Sequence, residues 1–251
     1  MIVLGLESAT IEVGVALHDE SGPLAALVAR PGRRHVETLH PAIEAVCAAA
    51  SVSLCDVGAV AVDIGPGRYT GIRVGIAAAQ GLCLGLGIPA ITCRSTDVLL
   101  NAGLAGELGV LPIIDMRRGE LAWPTLSPTD GEVPDEADAV GVRLGTVDEL
   151  IDELVAASEP RLLVGDGARR YGAAIIAEVE HRGGPRPHGA GEALAAPPVA
   201  ALARLGFARA IAGETTAGEA LRPLYLRPPD VRINWSERAQ VAATGRNEAP
   251  A

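Results

Sequence analysis

Hydrophobic and polar positions change period several times along this chain, and each change marks an element. Ile2–Glu7, Val13–His18 and Leu24–Ala29 are short apolar or alternating runs, the last two joined by the turn Asp19-Glu20-Ser21-Gly22; they predict three antiparallel strands. Val36, Leu39, Ile43, Val46 and Cys47 then recur at three- and four-residue steps, with Glu37, His40 and Glu44 elsewhere, which predicts a helix. Pro41 either begins its regular part or kinks it. Ala59–Ile64, apolar but for Asp63, reads as a buried strand. It runs into Gly65-Pro66-Gly67, a turn that uses glycine's freedom at positive φ. Thr70 is placed as the N-cap of a helix over 72–86, and Pro89–Thr92 as the next strand.

The second half has a similar order. It predicts a helix from Thr96, strand Val110–Asp115, turn Met116–Gly119, strand Glu120–Leu126 and a loop rich in Pro, Asp and Glu over Ser127–Ala139. Thr146 or Asp148 caps a helix to Ser158; strand Arg161–Gly165, helix Arg169–Glu180, loop His181–Gly191 and a long helix Pro198–Ala212 follow. From Pro228 on there is no periodicity. Hairpins followed by strand–helix alternation imply a mixed sheet with helices on its faces, and the repeated order implies a duplicated lobe. The expected organisation is a first lobe over 1–96, a second over 97–228 and a flexible tail over 229–251. Whether the final helix crosses back to the first lobe stays open.

The helix over 72–86 carries only two polar side chains, Arg73 and Gln80, seven residues apart and so on one stripe. Ile72, Ile76, Ala79 and Cys83 make an apolar face, and Gly71, Gly75 and Ala78 a nearly flat one. So apolar a helix must be covered by its own sheet and by something else. The expectation is that Ile72, Ile76, Ala79 and Cys83, with Leu39, Ile43 and Val46 of the preceding helix, face a partner, and that Val74 faces the sheet. Two such helices from each of two lobes pack as a four-helix bundle. The window Val74–Ile91 is long enough to raise a membrane span, but four glycines and Pro89 argue against one.

Charge narrows the chemistry. All 21 basic residues are arginine, which removes a phosphate-loop lysine, a Schiff base and a serine–lysine dyad together. The net charge is −10, and between Thr129 and Pro160 ten acids stand against Arg143 alone, a local balance of −9. The remainder is thus close to neutral, with no basic footprint for nucleic acid, and six scattered aromatics offer no stacking platform. Met1 leads straight into a strand-like run without a basic leader segment, and Cys47, Cys55, Cys83 and Cys93 lie in apolar surroundings with no C-x-x-C pair. Both point to a cytosolic protein with reduced core thiols.

Candidate site residues are few. Gly65, Gly67, Thr70 and Gly71, between a strand and a helix N-terminus, could contact a nucleotide or other anion, although a tight connection with no ligand has the same pattern. His35 and His40 lie about 140° apart around a helix and cannot easily share a metal; they read as solvent-side. No nucleophile–base–orienter set shows in the spacing. Asp115, Arg117 and Glu120 form a polar cluster near a turn, read as structural pairing ahead of chemistry, and Gly165-Asp166-Gly167-Ala168 reads as a strand-to-helix turn that could also touch a nucleotide.

Four blocks in order, LGLESATIEVGVAL, GPGRYTGIRVGIAAAQGLCLG, IDMRRGELAW and PLYLRPP, resemble the TsaB (YeaZ) family over roughly residues 1 to 230. The resemblance implies the two-lobed actin-like and sugar-kinase ATPase fold, of ribonuclease H-like type. It implies a role in making threonylcarbamoyladenosine beside the tRNA anticodon. There the TsaB-like protein is a partner of the related TsaD, which carries the catalytic site, and TsaE joins them. Against the superfamily's phosphate-holding hairpin, Glu7-Ser8-Ala9-Thr10 has a longer acid and no glycine. Where TsaD-like proteins carry a His-x-x-x-His metal pair, Cys93-Arg94-Ser95-Thr96 has no histidine. The reading is therefore a non-catalytic activator of TsaD that requires no cofactor or metal of its own, with ATP or ADP entering in the complex. It pairs with itself when alone, meets tRNA only through the complex and has no membrane role. The rivals are an ATPase or kinase with its own site and, further off, a peptidase.

Overall fold

A computed structural model describes residues 1–32, 34–102, 108–125 and 141–227 of the chain. The loop Ser127–Ala139, the end of the strand expected to reach Leu126 and the tail over 229–251 lie outside the described residues.

The first sheet contains β1 (Ile2–Glu7), β2 (Val13–Asp19), β3 (Gly22–Ala29), β4 (Val57–Asp63) and β5 (Ala90–Cys93) in the order β3-β2-β1-β4-β5. The hairpin strands β1, β2 and β3 pair antiparallel, and β1, β4 and β5 pair parallel. Its central strands are buried on both faces, which is why they read as continuous apolar runs. Leu4, Leu6, Val15 and Leu17 point to one face, where α1 (His35–Ala50) and α2 (Tyr69–Leu86) pack. Val3, Ala59 and Ala61 point to the other, where α6 (Val199–Ile211) lies. Burying each larger side chain contributes roughly 2 kcal/mol. The final helix therefore does return to the first sheet. Gly5 against Ala203, and Gly206 against Ala61, leave no room for a Cβ, so small residues set how closely α6 approaches.

After α3 (Ser95–Leu100), the second lobe places β6 (Gly109–Pro112) parallel to β10 (Arg161–Val164), which pairs with β11 (His188–Gly189). Next to them β7 (Ile114–Arg117), β8 (Glu120–Pro124) and β9 (Val142–Thr146) form an antiparallel meander. Only Ile113 separates β6 from β7, after Pro112, which has no N–H to donate. With β6 and β7 taken as one interrupted strand, the order β9-β8-β7/β6-β10-β11 repeats that of the first sheet, antiparallel arm and parallel arm alike. This is the two-lobed, ribonuclease H-like fold of the actin-like and sugar-kinase ATPases. The helices α4 (Val147–Ala156) and α5 (Asp166–His181) cover its core of Leu111, Ile113, Leu121 and Trp123. Thr146 is the cap of α4, in a reciprocal box with Glu149.

Three expectations need correction. Thr70 does not cap α2: the helix starts at Tyr69, after an extended Arg68 with no side-chain cap, and Thr70 is exposed on its first turn. Pro41 does not begin α1 but sits inside it, one turn and a half from the start. Cys55 is exposed, while the other three cysteines are buried; all four are free thiols.

Candidate functional site: a helix groove and an arginine cleft

The glycine turn after β4 is pressed onto the loop after β1. The Arg68 N–H donates to the Ala9 carbonyl at 2.7 Å, and the Ser8 hydroxyl donates to the Gly71 carbonyl at 2.8 Å. A Cβ on Gly67 would collide with the Ala9 carbonyl, and one on Gly71 with the Ser8 carbonyl. Gly65 has a φ of 103° and accepts the Ser95 N–H at 3.0 Å. Gly65, Gly67 and Gly71 thus serve backbone-to-backbone contact, and Gly67 also lines the arginine cleft described below. Thr70 stands apart, facing the groove on the outer side of α2.

The seven residues expected to face a partner are all buried within the first lobe: Leu39, Ile43 and Val46 on α1, and Ile72, Ile76, Ala79 and Cys83 on α2. They pack against β1, β2 and β4 in one continuous core. The helix α2 is rotated relative to the expectation. Gly71 and Gly75 face inward together with the Ile72–Cys83 stripe, because Gly75 must clear Ser8 and Val62, while Ala78 of the same flat face lies on the outer side. Val74, expected under the sheet, is only half-buried and lies on the outer side. No residue-type pattern separates the two sides of a helix this uniformly apolar.

The outer side is nonetheless apolar. Between α1 and α2 runs a groove of 710 Å³ lined by Val36, Leu39, His40 and Ile43 from one helix. Val74, Ala77, Ala78, Gly81 and Leu82 line it from the other, with Tyr69, Thr70 and Arg73 at one end. Leu39 and Ile43, themselves buried, line its inner side. Val36 is 66% and Leu84 87% exposed, far more than large aliphatics usually are. His35, expected at the surface, is buried with Nε2 3.4 Å from the Thr10 carbonyl; His40 is exposed beside Glu44.

At the end of the groove Arg73 joins a second feature. Its guanidinium lies 3.9 Å over the Tyr69 ring, its Nε donates to the Tyr225 hydroxyl at 2.6 Å, and the two tyrosines stack at 5.0 Å. Beyond them opens a cleft of 820 Å³ between the lobes, lined by Arg68, Arg73, Arg117, Arg118 and Arg227 against Asp115 and Glu120. Five cations to two anions make this a positive surface on a protein of net charge −10. Sequence reading missed it because Arg68 and Arg73, Arg117 and Arg118, and Arg227 come from three distant segments.

The cleft is built rather than accidental. Arg118 and Gly119 form the two-residue β7–β8 loop with φ of 58° and 83°, and Arg117 also has a positive φ of 66°. Such a conformation costs about 1–2 kcal/mol for a residue with a Cβ. The buried Asp115 carboxylate offsets part of it by accepting the Arg117 N–H at 2.9 Å and an Arg170 N–H at 2.9 Å. Arg227 pairs with Glu120 and donates to the Met116 carbonyl at 3.1 Å. Arg68 is half-buried, its Nε has no acceptor, and burial together with Arg117 weakens its hold on its proton. Asp166 at the start of α5 accepts the Asp115 N–H at 2.8 Å; burial raises its carboxyl above the usual range. The Gly165–Gly167 turn is therefore structural, with Gly167 donating its N–H to the Ile113 carbonyl at 2.9 Å.

The sequence model of the TsaD family, tRNA N6-adenosine threonylcarbamoyltransferase, matches residues 27–159, just over half of the chain. The tRNA threonylcarbamoyladenosine biosynthesis protein TsaB of Escherichia coli is 34% identical over 125 residues, covering 49% of this chain and 54% of that protein. The protein of the same name in Bacillus subtilis is 28% identical over 121 residues, covering 48% and 53%. The chain thus spans about half the length of the curated relatives it matches. A solved Pseudomonas aeruginosa protein, described as uncharacterized with similarity to peptidase YeaZ, superposes with a TM-score of 0.72 at 25% identity. That match covers 90% of this chain and 99% of the other. Among the described residues no helix is long and apolar enough to cross a membrane.

Proposed function

Since this chain belongs to the TsaB (YeaZ) family, within the wider group that the TsaD model describes, we propose that it is a non-catalytic partner that activates TsaD. The reaction served is formation of threonylcarbamoyladenosine on the tRNA adenosine beside the anticodon. In this reading TsaD carries the chemistry, TsaE joins the pair, tRNA is held only through the complex, and the setting is the cytosol. A second copy of the chain occupies TsaD's place when TsaD is absent. The chain needs no cofactor of its own; ATP or ADP belongs to the complex, where the arginine cleft is complementary to its phosphates.

The observation that carries this reading is the groove between α1 and α2. A pair of apolar helices from a related lobe would lay its ridges into it, completing the four-helix bundle expected from the sequence. Small residues on the outer side of α2, Ala77, Ala78 and Gly81, permit close approach of another helix. The test is reconstitution of tRNA modification from TsaD, TsaE and the enzyme that supplies threonylcarbamoyl-adenylate, with and without this chain. A rate that does not depend on the chain overturns the proposal.

A second reading, an ATPase or kinase with its own site, is favoured by one observation, the concentration of arginine in the cleft. Tight magnesium–nucleotide binding with turnover by the isolated chain would support it.

A further inference from the structure

Across the parallel strands of the first sheet, Leu6 stands opposite Val62, so Glu7 and Asp63 are the next neighbours in the row, with Cys93 opposite Asp63 on the far side. Both acids end their strands and both are fully buried, at 1% and 0% exposure. One oxygen of each is well supplied. Glu7 Oε1 accepts from the Thr10 N–H at 3.2 Å and the Thr10 hydroxyl at 3.1 Å. Asp63 Oδ1 accepts from the Gly65 N–H at 2.7 Å and the Ser95 hydroxyl at 2.8 Å. The other oxygens, Glu7 Oε2 and Asp63 Oδ2, receive no hydrogen bond, and the two side chains leave adjacent parallel strands from the same row of the sheet.

On α6, Arg209 faces this region but pairs with Asp97 of α3 at 2.8 Å and with Glu214. Asp97 adds a third negative charge to the surroundings of Asp63. Cys93 is pushed up to about 12 by burial and contributes no charge near neutrality. On α1, His35 reaches only the far side of Thr10, at its carbonyl. Two bare carboxylates side by side in such a place would each be stripped of water beside a like charge, and two carboxylate oxygens can bond only through a proton.

We propose that Glu7 and Asp63 share a single proton at neutral pH, and that this acid pair is a pH-sensitive latch holding the hairpin loop 8–10 closed over the glycine turn. Burial first, then the charge of Asp63, lifts Glu7 well above the usual carboxylate range, which agrees with the geometry. Loss of the proton leaves two buried like charges at the ends of β1 and β4. The ends separate, and the contacts of Ser8 with Gly71 and of Ala9 with Arg68 loosen with them. These contacts seat the start of α2, so the device lies beneath one wall of the groove. The inference stands on the buried pair alone and not on the proposed function.

The sign follows from linkage. A carboxyl raised in the folded state contributes stability that is complete below its unfolded value and is lost as pH rises through its folded value. Above about pH 6, and until the pair has lost its proton, the melting temperature of the full chain should fall by roughly 3 °C per pH unit more than that of Glu7→Gln. That variant keeps the donor and cannot ionise; Asp63→Asn is the second variant and should behave alike. If either variant folds poorly, carbon-13 labelling of the glutamate and aspartate carboxyls in the unaltered protein decides. The two carboxyls titrate as a pair, so the upper step is read at whichever of them holds the proton. A carboxyl of Glu7 or Asp63 titrating above neutrality is the expected result. Completion of both titrations below about pH 6, or parallel melting profiles of folded Glu7→Gln and the unaltered chain, overturns the proposal.

Discussion

Gly71 lies with its Cα against the carbonyl of Ser8, whose hydroxyl donates back to the Gly71 carbonyl at 2.8 Å. This double contact docks the first turn of α2 on the hairpin loop at the end of β1, and it explains why the glycines of this segment face inward rather than outward.

Two glycines of the same helix should therefore respond in opposite ways to one methyl group. Gly71→Ala drives a Cβ into the Ser8 carbonyl and should cost roughly 2–3 kcal/mol of stability. Gly81→Ala meets no atom within 4 Å and, inside a helix, should stabilise by roughly 0.5–1 kcal/mol. Urea denaturation of both variants checks the pair, and equal effects would mean that α2 is rotated otherwise than described.

Charge placed on the two sides of α2 separates partner contact from core packing. Gly81→Arg points into open space beside the groove, so the chain should fold as before. Its affinity for TsaD, and its self-association, should fall about a hundredfold or more, since an unpaired charge in a packed interface costs several kcal/mol. Ile76→Arg, at a site 6% exposed, should instead unfold the first lobe without any partner present. Sedimentation and titration with TsaD read the first variant, and circular dichroism the second. Undiminished pairing of a folded Gly81→Arg would remove the groove from the interface.

The isolated chain should bind magnesium ATP more weakly than about 100 μM. Gly67 and Gly71 are spent on backbone contact, there is no lysine, and Arg117 and Arg227 of the cleft are already paired with Asp115 and Glu120. Isothermal calorimetry giving low-micromolar affinity would favour the second reading, a nucleotide site belonging to this chain itself.

Transfer RNA should not bind the chain alone at about 150 mM salt, where phosphate contacts are already screened. The arginine cleft is a pocket between lobes rather than an extended basic stripe, and the chain carries −10 overall. Addition of TsaD should create binding in a gel-shift assay; a shift with the chain alone would contradict the scaffold role.

Much of this molecule was legible in one dimension. The three opening strands, both buried parallel strands, α1 and the capped α4 follow from periodicity and from a few special residues, because each is a local consequence of apolar spacing, hydrogen-bonding side chains or missing Cβ atoms, whereas the strand expected over Val110–Asp115 is divided at Ile113 into β6 and β7. The family blocks were also local, and they carried the fold. The orientation of α2 was not legible. Its composition is apolar but for Arg73 and Gln80, so the inward side was chosen by what Ser8, Ala9 and Val62 leave room for, residues that lie well outside the helix in the chain. The same holds for the cleft, whose arginines come from three segments that meet only when β7, α2 and the segment ending at Arg227 are brought together. It holds too for Glu7 and Asp63, whose pairing across β1 and β4 no local pattern shows. Sequence by itself determined which elements form and in what order, since backbone and side-chain propensities act over a few residues. Tertiary structure alone decided which faces are covered and which charges are forced together, since burial and Coulomb energy depend on distance in space.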